Sequence, residues 1–71
     1  MAQLTNAQYD LLERAITDRR QIAVMRRGTE YVVVPSRLSL ERGREAIQAH
    51  HPSGNVMTFF IDEVQSIEVV K

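Results

Sequence analysis

The sequence predicts a mainly β fold, in which one N-terminal α-helix precedes a small five-stranded β-barrel. A helix-capping pattern stands ahead of apolar residues that recur at a spacing of three to four. After the helix the apolar period changes to two, and turn residues separate short strands at roughly ten-residue spacing. A chain of 71 residues is near the lower limit for folding without disulfides or metal. We therefore expect a single domain over residues 1–71.

The helix is predicted at about residues 5–19. Thr5 is a favourable N-cap residue, and Gln8 three positions later completes a capping box. Leu4 and Tyr9 are placed for a hydrophobic staple across the cap. An apolar stripe offers one face to bury, formed by Leu12, Ala15 and Ile16.

The first two strands are predicted at about residues 21–26 and 30–35, joined by a three-residue hairpin at 27–29 with Gly28 available for positive φ. We expect Pro35 to end the second strand, because proline has no N–H to donate to a neighbouring strand. The residues that follow, as far as Leu40, are compatible with a continued extended chain.

Three further strands are predicted at about residues 44–50, 56–61 and 66–70. A helix is also conceivable over residues 41–49, whose side chains are tolerated in helices. We favour a strand there, since the segment lies between turn signals in a run of hairpins. Asp62 falls at the corner between the last two strands and is expected to cap a short turn. Closure into a barrel would remove free sheet edges, so we expect the barrel to be closed.

The charges are balanced overall but unevenly distributed. Residues 1–44 hold eight arginines and five acids, whereas residues 45–71 hold one lysine and four acids. The neutral total argues against strong non-specific binding to nucleic acids, which depends on many phosphate contacts. A local basic face remains open as an interpretation. The alternative is that the arginines are solvated and paired with nearby acids.

Several classes of protein are disfavoured. No cysteine is present, which excludes a disulfide framework and a thiolate metal site. No apolar run approaches the ~20 residues that span a bilayer. The first residues also lack the basic and apolar regions of a signal peptide. We therefore expect a cytoplasmic protein with no membrane partner.

The reactive side chains do not form a catalytic pattern. His50 and His51 are adjacent, so on a strand they point to opposite faces and do not readily ligate one ion. Asp62 and Glu63 diverge for the same reason, whereas general acid–base catalysis requires both groups to face one substrate. No nucleophile elbow and no glycine-rich phosphate loop is present. We expect no enzymatic activity, no metal and no cofactor.

Four segments of the chain, in their order and spacing, carry a resemblance to a known family. They are Leu12-x-x-Ala15-Ile16-x-x-Arg19-Arg20-x-Ile22, then Tyr31-x-Val33-x-Pro35-x-x-Leu38, then residues 44–50, then Gly54 through Val69. The most informative single stretch is Thr58-Phe59-Phe60-Ile61-Asp62-x-Val64-x-x-Ile67-x-Val69. Over about residues 11–70 this order and spacing resembles the WYL domain, in a short stand-alone or divergent form.

The resemblance implies an SH3-like or Sm-like β-barrel. WYL domains are usually joined to a helix-turn-helix module in bacterial transcription regulators. They also occur with CRISPR and phage-defence systems, where they are taken to bind nucleic-acid or nucleotide ligands. The resemblance therefore implies a regulatory, ligand-binding role.

The family's ligand-binding positions are only partly kept. The three residues that name the family fall on residues 45–47, where only Ile47 keeps its character. The basic residue expected before Thr58 falls on Met57, and the arginine expected after the corner aspartate falls on Glu63. Two positions do match the family, namely Arg44 and His50.

Two functional hypotheses follow. In the first, a basic rim of the barrel binds a nucleotide or single-stranded nucleic acid. Its candidate ligand-binding residues are Arg37, Arg42, Arg44 and His50. The three arginines cluster around one predicted turn and are expected to contact phosphates. In the second, the chain associates with itself or with a protein partner through exposed apolar residues and β-edges. Its candidate interface residues are Met57 and Phe60. Phe60 alternates away from the core-facing Phe59, and an exposed phenylalanine beside basic residues also suits base stacking.

Overall fold

A computed structural model describes residues 4–70 as one α-helix and five antiparallel strands. The helix α1 is Asn6–Asp18, and a short 3-10 helix is Ile61–Glu63. The strands are β1 Ile22–Arg26, β2 Thr29–Glu41, β3 Arg44–His50, β4 Val56–Phe60 and β5 Val64–Val69. The predicted mainly β fold with one N-terminal helix is confirmed.

The capping box forms as predicted. The hydroxyl of Thr5 accepts a hydrogen bond from the Gln8 backbone N–H at 3.2 Å, and the Gln8 side chain accepts from the Thr5 N–H at 2.9 Å. These two bonds satisfy backbone donors that the first helical turn leaves without partners. The helix ends at Asp18, and its C-cap residue Arg19 takes the left-handed conformation with φ 55°. Leu12 and Ala15 are fully buried on the face toward the sheet.

The five strands form one curved sheet in the order β4-β3-β2-β1-β5. Strands β4 and β5 lie at its two edges and are connected through the 3-10 helix. The sheet is barrel-like, and α1 packs against β2 and β5. Within residues 4–70 no ladder of hydrogen bonds joins β4 to β5, so the predicted closure of the barrel is wrong. The 3-10 helix turns the chain from one edge to the other without pairing the two strands.

The segment over residues 44–50 is a strand, which settles the alternative of a helix in favour of the strand. It pairs with β2 on one side and β4 on the other. The last two strands differ slightly from the prediction. Because the 3-10 helix begins at Ile61, β4 ends at Phe60, and β5 begins earlier than predicted, at Val64.

Pro35 does not end the second strand, contrary to expectation. Strand β2 runs for 13 residues, and its register against β3 shifts between Pro35 and Arg37. A bulge of this kind leaves a residue outside the regular ladder, so the strand tolerates the missing N–H of proline. Strand β2 therefore pairs with β1 through its first part and with β3 through its second part.

The first hairpin turn is shorter than predicted. Arg26 pairs with Thr29, which leaves Arg27 and Gly28 as a two-residue turn with φ values of 51° and 76°. Two successive residues with positive φ are typical of a type I′ turn, whose twist matches that of the flanking strands. The predicted three-residue hairpin is wrong because Thr29 already belongs to β2.

The core is centred on Phe59, the largest fully buried side chain, whose ring centroid lies 5.4 Å from that of Tyr31. One face of the β1–β2 hairpin, the helix and β5 contribute apolar side chains around it. Its other buried members are Leu4, Leu12, Ala15, Ile22, Val24, Val33, Ile47, Ala49, Ile61, Val64 and Ile67.

Neither a membrane-crossing helix nor a metal site is found in the described part of the chain. No helix there is both long enough and apolar enough to cross a membrane. Among residues 4–70 no group of three histidine or acidic side chains is placed to hold a metal ion.

We expect Phe59→Ala to destabilise the fold severely. Removing a fully buried phenylalanine costs about 3–5 kcal/mol, a large part of the about 5–15 kcal/mol that holds small domains together. Thermal unfolding followed by circular dichroism should show a midpoint lower by at least about 12 °C. The control is Leu40→Ala, because Leu40 is apolar but 69% exposed. Similar losses in both variants would contradict the described core.

Candidate functional site

The outer face of β2, β3 and β4 carries the polar side chains of the candidate site. Ile47 and Ala49 of β3 are fully buried in the core, so the alternating residues Arg44 and Gln48 point outward. The register sets Gln48 opposite Thr58 on the edge strand β4. The side chains of three adjacent strands are therefore available on one surface.

Arg44 is held in place by an acid from the 3-10 helix and by an aromatic ring. Its Nε lies 3.0 Å from Asp62 Oδ2 and its Nη2 lies 2.7 Å from Asp62 Oδ1. Nη2 also lies 3.5 Å from Glu63 Oε2. The guanidinium carbon lies over the Phe60 ring, 3.9 Å from its centroid. A two-point ion pair together with a cation–π contact restricts the guanidinium to one position.

The ion pair shifts the titration of both partners. The hydrogen bond from Arg44 lowers the pKa of Asp62, and the attraction of the nearby positive charge lowers it further, while desolvation acts in the opposite direction. The same hydrogen bond raises the pKa of Arg44. Both side chains are nearly half exposed, at 44% and 43%, so solvent screens their attraction. The pair therefore orients Arg44 more than it stabilises the fold.

A second set of polar contacts is centred on Gln48. Its Nε2 donates to Glu41 Oε1 at 3.1 Å and to Ser39 Oγ at 3.3 Å. Its Oε1 accepts from the Thr58 hydroxyl at 3.4 Å, and its backbone carbonyl accepts from the Ser36 hydroxyl at 3.0 Å. The Gln48 side chain thus links three strands and fixes the carboxylate of Glu41.

Between these two sets of contacts lies a groove of about 500 Å³ that is open to solvent. It is bounded by the turn between β2 and β3 and by the outer face of β4. The residues that line it are Glu41, Arg42, Arg44, Thr58 and Phe60.

Arg42 has a positive φ, a backbone conformation that glycine and asparagine adopt more easily. With Gly43 it forms the two-residue turn between β2 and β3, at φ values of 52° and 80°. A side chain other than glycine or asparagine pays roughly 1–2 kcal/mol in the left-handed region, and asparagine is favoured at this position of a type I′ turn. Strained residues are frequent at functional sites. Arg27 has the same conformation in the first hairpin turn, so what distinguishes Arg42 is its place in the groove.

The structure brings together three of the residues singled out from the sequence. Arg42, Arg44 and Phe60 line the same groove. Arg37 is exposed and stands opposite Gln48 in the register. That position is four residues along β3 from Arg44, or about 13 Å, so Arg37 lies outside the groove.

His50 and Met57 lie elsewhere. His50 is exposed at the far end of β3 and borders a different groove of about 560 Å³, which also includes Arg19, Val34 and Pro35. Met57 stands opposite Ala49 and packs against the core. Phe60 is half-buried beneath Arg44. Met57 and Phe60 therefore do not form one surface, and their role in an interface stays a prediction.

The two acids that bond to Arg44, Asp62 and Glu63, were not predicted as part of a site. Asp62 does not cap the 3-10 helix, which has no side-chain cap, because its carboxylate is bonded to Arg44. Glu63 Oε2 lies 3.3 Å from Arg27 Nη2 in the first hairpin turn and 3.5 Å from Arg44 Nη2 at the start of β3. Glu63 therefore links these two parts of the chain. The pairing of Ala46 with Phe60 places residue 62 beside residue 44. This contact could have been predicted only from the correct register of β3 against β4.

Comparisons with known proteins give a likeness of fold. No protein-family model matches the chain, and no curated protein matches it. A solved structure, proteasome accessory factor B/C (PafBC) of Arthrobacter aurescens, is similar over 97% of this chain with a TM-score of 0.75 and 24% sequence identity. The likeness shows the fold. The chain spans 12% of the length of that protein.

We expect the Asp62 carboxyl to titrate below the ordinary aspartate range and to return toward that range in Arg44→Gln. Carboxyl-carbon NMR over an acid titration measures both values. Because the pKa of Asp62 is lower in the folded chain than in the unfolded chain, the pair contributes fully above the unfolded value of about 3.9. That contribution is lost as pH falls through the lower folded value. An Asp62 pKa that is the same in both proteins would contradict the described ion pair.

Proposed function

We propose that the chain is a non-enzymatic, regulatory ligand-binding module of the WYL type, and that its groove binds a nucleotide, either free or within a single-stranded nucleic acid. The observation that carries the proposal is the guanidinium of Arg44, held over Phe60 by Asp62 and still 44% exposed. Nucleic-acid bases stack on aromatic rings and on arginine guanidinium planes. A guanidinium already fixed in position loses little entropy when a base stacks on it.

The charges assign different roles to the arginines in this proposal. The charge of Arg44 is offset by Asp62 and Glu63, so Arg44 acts as the stacking platform. Within residues 4–70, the ion pairs do not include Arg42 or Arg37. Arg42 lines the groove and therefore contacts the phosphate of the ligand. Arg37 lies about 13 Å along the same face and contacts a further phosphate when the ligand is a strand.

The regulatory part of the proposal is supported by the resemblance to WYL domains and by the likeness of fold to a protein described as an accessory factor. A cytoplasmic location and one unit over residues 1–71 belong to the same proposal. His50 lies outside the groove, so its matching position in the family does not give it a direct contact with the ligand here.

We expect the chain to bind mononucleotides and short single-stranded oligonucleotides, and Arg42→Asn to weaken this binding. Asparagine tolerates positive φ, so the variant keeps the turn while losing the charge. Loss of one phosphate contact reduces the slope of log K against log salt by about 0.7 for a single strand. Fluorescence anisotropy with labelled oligonucleotides between about 50 and about 200 mM salt measures the slope.

The matched control for this experiment is Arg27→Asn. Arg27 has a φ of 51° in the same type of turn, but it does not line the groove. Its substitution should leave the slope unchanged. Equal effects of the two substitutions, or no binding at low salt, would contradict the proposed role of the groove.

A second candidate function is association of two copies of the chain through the edge strand β4. One observation favours it, since Val56 on this edge is 64% exposed. Unpaired edges with apolar side chains recruit further strands. Met57 packs inward against the core, so Val56 takes the place of Met57 as the apolar contact of this interface.

If this association occurs, Val56→Lys should abolish it, because lysine on an edge strand opposes pairing with another chain. Sedimentation velocity at high protein concentration measures the oligomeric state. Leu40→Lys is the control, since Leu40 is 69% exposed on β2, which is not an edge strand. A wild-type chain that stays monomeric at the highest concentration tested would exclude this second function.

A further inference from the structure

Glu41 is an unusual residue to line a groove that binds phosphate. It is half-buried on β2 directly opposite Arg44. Opposite charges at such cross-strand positions normally attract each other, yet the Arg44 guanidinium is bonded to Asp62 instead. Within residues 4–70 no ion pair includes Glu41. The groove therefore contains a carboxylate whose cross-strand partner, Arg44, pairs with another acid.

The carboxylate of Glu41 is also held in position. Its Oε1 accepts from Gln48 Nε2 at 3.1 Å, and Gln48 is held in turn by Ser39 and Thr58. An ionised carboxylate has two oxygens with about four acceptor sites. One bond to Gln48 leaves the second oxygen and part of the first for a ligand.

This charge limits which part of a nucleotide lies beside Glu41. A phosphate there is repelled, whereas a group with N–H donors gains charge-assisted hydrogen bonds. Guanine presents two adjacent donors, N1–H and the 2-amino group, which match the two oxygens of one carboxylate. Adenine and cytosine present one amino group beside a ring acceptor, and uracil presents one N–H between two carbonyls.

We propose that the groove selects guanine, with Glu41 accepting from the N1–H and 2-amino edge of a base stacked on Arg44. This inference rests on the proposed function. Glu41 and Arg44 are directly opposite each other on neighbouring antiparallel strands, where Cβ atoms are about 5 Å apart. Both also line the groove, so a base stacked on Arg44 shares the groove with the Glu41 carboxylate. Arg42 adjoins Glu41 in the chain and binds the phosphate on the open side of the groove.

The test compares 5′-monophosphates of equal charge by isothermal titration calorimetry. Guanosine monophosphate should bind about tenfold more tightly than adenosine monophosphate, because one charge-assisted hydrogen bond supplies about that factor. Inosine monophosphate lacks the 2-amino group and should bind with intermediate affinity. The dinucleotides GpG and ApA form a second arm, which distinguishes a free nucleotide from a strand as the source of the guanine.

The decisive variant is Glu41→Gln, which keeps the size of the side chain and an acceptor for Gln48. It should reduce the affinity for guanosine monophosphate about tenfold and leave that for adenosine monophosphate unchanged. The control is Glu68→Gln, the same change on the exposed side of β5, which should leave both affinities unaltered.

The outcomes separate this inference from the function on which it rests. A guanine preference in either arm that disappears in Glu41→Gln supports the inference. Binding of all nucleotides with equal affinity, or a guanine preference that persists in Glu41→Gln, overturns the inference alone. Absence of binding by any nucleotide or dinucleotide overturns both the inference and the proposed function.

Discussion

The bulge in β2 allows one strand to pair with both halves of the sheet. This strand of 13 residues pairs with β1 before Pro35 and with β3 after it, and the bulge between Pro35 and Arg37 allows the change of direction. A sheet of five strands curls around one core because its central strand belongs to both halves. The second half of β2 leads to the turn at Arg42, which borders the candidate groove together with the outer face of β4.

The fold around the groove resembles that of a known family, but the charged side chains near the groove differ from those that the resemblance leads one to expect. Glu63 stands where an arginine is expected from the resemblance, and it lies between Arg27 and Arg44 instead of adding to a basic surface. Two acids therefore surround the one arginine that stacks on Phe60. A ligand in this groove meets a positive charge at Arg42 and an acceptor at Glu41. Such a pattern suits a nucleotide with a specific base better than an unselective polyanion.

Local sequence patterns predicted the local structure well, and long-range pairing explains what they missed. The helix with its Thr5–Gln8 box and the strand at residues 44–50 follow from capping and turn signals, which act over a few residues. The continuation of β2 through Pro35 depends on a bulge formed with β3, which no local signal specifies. The role of Asp62 depends on a residue 18 positions away in the chain. Arg44 was predicted as a ligand contact from the cluster of arginines around one turn and from its match to the family, and the acids around it emerge only from the register.

Binding in the groove between the β2–β3 turn and the outer face of β4 can be located by backbone amide NMR, since each residue reports separately on its surroundings. Titration with guanosine monophosphate should produce concentration-dependent shifts at residues 41–44 and at Thr58 and Phe60, with little change at His50 or Val69. Shifts confined to the helix and β5, or to the groove beside His50, would rule out the proposed site.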